Sequence, residues 1–135
     1  MASIINLDRL LSKFDNLQDI DLRKPLEKAC LLVENDAKTK CPVDTGQLRQ
    51  SITHEIDGNI GIVGTNVEYA PYVEYGTGKN ASGPYKGKGR KTPWAFKDPK
   101  TGELIWTAGG RAVPFLEPAL LENEEKIYEL FEKAI

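Results

Sequence analysis

Apolar positions near the start of the chain recur at helical spacing. Ile4, Leu7, Leu11 and Phe14 follow one another at steps of three and four, which predicts a short helix over Ser3–Phe14. Asp19-Ile20 breaks the pattern. A longer helix is expected over Asp21–Lys40, with Leu22, Leu26, Ala29, Val33 and Ala37 as its buried stripe. Asp21 suits its N-cap, and Pro25 falls in or near the first turn, where a missing N–H costs little. Pro42 ends it, because the residue before a proline avoids helical angles.

The period then changes. Asp44 is expected to cap one turn through Leu48. Ile52, His54 and Ile56 alternate with Thr53 and Glu55, as a half-buried strand does. Asp57-Gly58-Asn59 is a turn signal, so Ile52–Val63 reads as a hairpin. Tyr69, Tyr72, Val73 and Gly76 lie three to four apart around Pro71, which predicts a short helix closed by Gly76.

Lys79–Arg90 holds three glycines and a proline without periodicity and is expected to be loop. Pro93–Thr107 reads as a second hairpin, with Trp94 and Phe96 facing Leu104 and Trp106. Gly109-Gly110 marks a hinge or turn. After Pro114 one last helix is expected over Phe115–Ile135, carrying Leu116, Leu120, Ile127, Phe131 and Ala134 on one side. Helices and strands do not alternate as βαβ units. The expected fold is α+β: a small antiparallel sheet packed against N-terminal and C-terminal helices, with a long loop and hairpin inserted.

Length and charge refine this picture. The 135 residues fit one domain, 1–135, within which 79–111 form a flexible loop and hairpin insertion. No apolar run approaches the roughly 20 residues of a membrane span, and no signal-peptide pattern opens the chain, so the default compartment is the cytoplasm. Lys79–Lys100 carries seven basic residues against one acidic, whereas Phe115–Ile135 carries six glutamates against two lysines. Cys30 and Cys41 on one helix would stand about 16 Å apart, too far to bridge. One histidine and no CxxC pair give metal binding little support.

Candidate chemistry is sparse. Asp44-Thr45-Gly46 matches the aspartic-protease triplet, but one copy led in from a helix fits a capped turn better. No glycine-lysine stretch matches a phosphate loop. Lone His54 beside Glu55 reads as a surface or cross-strand residue. No nucleophile–base–orienter set stands out, and no enzyme activity is expected. Tyr85, Lys86, Lys88, Arg90, Lys91 and Trp94 combine cations with aromatic rings, a pattern that suits contact with nucleic acid or an acidic protein surface.

Three blocks carry a resemblance: Val43–Leu48 within "CPVDTGQLRQSI", Tyr69–Thr77 within "NVEYAPYVEYGTG", and Pro114–Ala119 within "VPFLEPAL". In this order the chain resembles siphophage neck proteins, the gene-ten-like tail-component family of lambda-like phages, also described as head–tail joining or tail-completion proteins. The likeness spans about Leu22 to Ile135, and the stretch between Lys79 and Arg111 is the part whose length varies among members. It makes Asp44, Thr45, Gly46, Leu48, Gly76, Pro114 and Phe115 structural motif residues. It implies a virion protein, assembled in the bacterial cytoplasm, that acts without catalysis or cofactor. Its implied partners are its own copies, in a hexameric or dodecameric ring, together with a portal-side connector and tail-tube or tail-terminator proteins. Non-specific contact with channel DNA is a further expectation, and no membrane is involved. Tyrosine gives stiff contact area with a polar tip, so Tyr69, Tyr72, Tyr75, Tyr85, Trp94 and Trp106 are interface candidates beside the four loop cations Lys86, Lys88, Arg90 and Lys91.

Overall fold

A computed structural model describes residues 2–6, 21–43, 46–98 and 100–134. They group into two compact units, one formed by 1–67 with 115–135 and the other by 68–114.

The first unit is built on helix α1, Arg23–Lys40. Asp21 Oδ1 accepts a hydrogen bond from the Arg23 N–H at 3.0 Å, which satisfies one donor of the first turn. Cys41 turns to extended angles (ψ 130°) before Pro42, and Lys38 and Lys40 favour the negative end of the helix dipole. Leu26, Ala29, Val33 and Ala37 are buried along one stripe, as the spacing predicts, with Cys30 buried beside them and Leu22 half-buried. Full burial of a Leu or Val side chain stabilises by roughly 1.5–3 kcal/mol.

That stripe covers a three-stranded antiparallel sheet of order β1-β3-β2, made of β1 Ala2–Asn6, β2 Thr53–Asp57 and β3 Ile60–Gly64. The β2–β3 hairpin turns at Gly58, whose φ of 59° suits a glycine. Register puts His54 opposite Val63 and Ile56 opposite Gly61, so these four share one face of the sheet. There Gly61 lies so close to α1 that a Cβ would meet Cys30 Sγ and Leu26 Cδ1.

The expected helix over Ser3–Phe14 is not what residues 2–6 form. They pair with β3, Ile4 opposite Ile62, and so gain a backbone ladder that an isolated short helix cannot match. The rest of that expectation, 7–14, lies outside the described residues. The expected terminal helix is likewise two: α4, Leu116–Leu121, and α5, Glu124–Glu132. Asn123 sits at the stripe position between them and takes non-helical angles, φ −102° and ψ 9°. Leu116, Ala119, Ile127 and Phe131 are buried, Leu120 is half-buried and Ala134 is exposed. A one-turn helix α2, Gln47–Ser51, precedes β2 and buries Leu48.

The second unit starts with α3, Ala70–Tyr75, with Pro71 in its first turn. Gly76 ends it at φ 81°, its N–H bonded to the Tyr72 carbonyl at 2.9 Å. Two single-turn 3₁₀ helices follow, Gly78–Asn80 and Gly83–Tyr85, where loop is expected. Strands β4, Trp94–Lys97, and β5, Leu104–Thr107, form a separate hairpin. Its register corrects the expected pairing. Phe96 stands opposite Ile105 and Ala95 opposite Trp106, so Trp94 and Phe96 share a face with Ile105 and Thr107. Leu104 and Trp106 point the other way. The turn sets this: Asp98 N–H bonds to the Glu103 carbonyl at 2.8 Å, so even-numbered residues pair with odd ones.

The fold is thus the α+β arrangement expected, with an antiparallel sheet against helices.

Candidate interaction site

The inserted segment is closed at its base by backbone bonds. Val113 N–H donates to Val73 O (2.8 Å), Thr77 N–H to Gly110 O (2.9 Å) and Lys79 N–H to Ala108 O (3.1 Å). Gly110 N–H donates back to Thr77 Oγ1 at 2.7 Å. The two segments pass closely at their glycines: a Cβ on Gly78 would collide with the Ala108 carbonyl, and one on Gly109 with that of Thr77. Ser82 then ties the loop to α3, its N–H and Oγ both donating to Tyr75 O at 2.7 Å.

This stem places several of the sequence-derived candidates around one open depression of about 470 Å³. Tyr72, Tyr85 and Trp94 provide its aromatic walls and Lys88 and Arg90 its cations. The Arg90 guanidinium carbon lies 5.6 Å from the Trp94 ring centroid, a cation–π distance. The Tyr85 ring also meets Tyr75 at 5.7 Å between centroids, tilted by 56°. Tyr72 is 57% exposed. Thr77, Gly78, Ala81 and Gly89 line the depression too, and none of them figures among the sequence candidates. Their signal is the glycine spacing Gly76-x-Gly78 and Gly87-x-Gly89, which allows close backbone approach.

The other candidates stand apart. Tyr69, Lys86 and Lys91 are exposed and do not line the depression. Trp106, 72% exposed, lies on the opposite face of the hairpin from Trp94. Beside it Leu104 is 70% exposed, while Phe96 and Ile105 are also open. Gly46 takes φ 79° before α2, Phe115 is fully buried, and Pro114 is exposed. Asp44 and Thr45 lie outside the described residues.

His54 Nδ1 lies 3.4 Å from Glu34 Oε1 on α1, and Ser51 Oγ engages Thr65 Oγ1 at 2.5 Å and Leu48 O at 2.6 Å. Among the described residues no group of three or more His, Cys, Asp or Glu could hold a metal, and no helix is long and apolar enough to cross a membrane.

No curated protein and no solved structure shows a significant match to the chain. A family model does match, over residues 4–76, more than half of the 135 residues. The matched stretch takes in the Val43–Leu48 block and helix α3 and stops before the inserted hairpin. The chain belongs to the Bacteriophage HK97-gp10 tail-component family.

Proposed function

We propose that this tail component works at the joint between head and tail. In this reading it assembles as a ring of its own copies and docks between a portal-side connector and tail-tube or tail-terminator proteins. The observation that carries the proposal is the open apolar surface of the 68–114 unit. Leu104 and Trp106 present one exposed face of the β4–β5 hairpin, and Phe96 and Ile105 the other. A lone two-stranded hairpin is marginal in water, and apolar groups of this size on it suit cover by another chain. The role is structural, with contact area and charge as its means.

Deletion of the gene from the phage, followed by electron microscopy, tests this. Filled heads beside unattached tails are expected. Joined, infectious virions would overturn it.

A second reading, contact with DNA, is favoured by the exposure of Lys86, Lys88, Arg90 and Lys91 together. It predicts duplex binding that weakens steeply with salt.

A further inference from the structure

We propose that the aromatic and cationic depression of the 68–114 unit receives the exposed acidic face of α5 from a second copy of the chain. The inference rests on the self-association proposed above and names the two surfaces that meet.

Each surface is incomplete alone. The depression offers Tyr72, Tyr85 and Trp94 to an inserted ring or aliphatic group, with Lys88 and Arg90 on hand for carboxylates. Arg90, laid over Trp94, keeps a preorganised fork of donors there. The counterpart lies on α5. Ile127 and Phe131 are buried, while Tyr128 on the outer side is 48% exposed. Glu124 and Glu125 stand one turn before Tyr128 and Glu132 one turn after it, all exposed. This is an aromatic ring flanked by carboxylates, the complement of cations flanking an aromatic depression.

Charge selects the pairing. Residues 68–114 hold eight basic and four acidic residues, a net charge of +4. Residues 1–67 with 115–135 hold ten basic and sixteen acidic residues, a net charge of −6. Like units repel, so copies meet head to tail, the 68–114 unit of one against α5 of the next. A head-to-tail contact leaves both surfaces free at the ends of a pair, and repetition closes a ring where the rotation permits. Duplex DNA would engage the same cations, but its phosphates leave the three aromatic walls unused.

The test uses the full chain in three forms: Lys88→Glu with Arg90→Glu, Glu125→Lys with Glu132→Lys, and all four together. All four positions are exposed, and circular dichroism verifies the fold. Sedimentation equilibrium at low salt reads self-association. Each two-site variant is expected to raise the dissociation constant about tenfold or more, and the four-site variant to recover it. A wild-type chain that stays monomeric would overturn the proposal. So would two-site variants that associate as tightly as wild type, or DNA binding lost in the first variant with self-association untouched. The head–tail reading fails separately, on joined virions without the gene.

Discussion

Asn123 reaches across 87 positions of sequence to donate its side-chain amide to Asp36 Oδ2 at 2.7 Å. The same amide nitrogen donates to the Ala119 carbonyl at 2.7 Å, replacing the helical bond lost where α4 ends. Asp36 also pairs with Lys40 at 2.7 Å, and Lys40 with Glu122 at 2.8 Å. The kink between the last two helices is therefore a docking device that fastens them to α1. Replacing Asn123 by Ala removes both bonds and is expected to cost about 1–3 kcal/mol, read by urea unfolding.

The same cluster gives a pH signature. Burial pushes the Asp36 carboxyl up, but hydrogen bonds from Lys40 and Asn123 and the Lys40 charge outweigh it and hold the group below its ordinary 3.8. A lowered carboxyl stabilises the fold above that value and ceases to as pH falls through the folded one. Lys40 is raised above 10.5 by its hydrogen bonds to Asp36 and Glu122, so its contribution is lost as pH climbs beyond that value. Stability measured against pH should fall at both ends, and Asp36→Asn should flatten the acid limb.

Gly61 lets β3 pass close beneath Cys30 and Leu26 of α1. Its replacement by Ala drives a methyl group into Cys30 and Leu26. The expected cost is about 1–3 kcal/mol, visible as a lower thermal midpoint.

Cys30 and Cys41 are both buried and are not joined in a disulfide. Burial, then the charges of Glu27 and Glu34, push the Cys30 thiol up to about 11. The thiolate is the reactive form, so a thiol reagent at neutral pH should label Cys30 slowly in the native protein and rapidly after unfolding.

Much of the first unit was legible in the sequence. The α1 stripe and the β2–β3 hairpin follow from local periodicity, because each buries one face against the other. β1 was not, because its partner Ile60–Gly64 lies more than 50 residues away and Ile4 also fits a helical stripe. The kink hid in one polar residue, Asn123, at an apolar stripe position. The second hairpin was legible as a hairpin, but its register depends on the turn and not on the aromatic pattern. The depression's aromatic and cationic residues were visible as candidates. Their grouping was not, since it depends on glycine contacts between segments thirty residues apart.

Trp106 and Leu104 give a test that separates contact from folding. Both side chains are largely exposed, so Trp106→Ser with Leu104→Ser should shift unfolding by about 0.5 kcal/mol or less at each site. Complementation of a gene-deleted phage by this variant should nevertheless yield few joined particles. Wild-type yields would remove the hairpin from the proposed head–tail contact.

The stem closed between Thr77 and Gly110 makes everything beyond it a cassette. Its base is held by main-chain bonds, by the Thr77 and Asn80 side chains and by glycines too crowded to accept a side chain, all of them within the stem. Residues at the tip can therefore change in number or kind without touching these stem contacts.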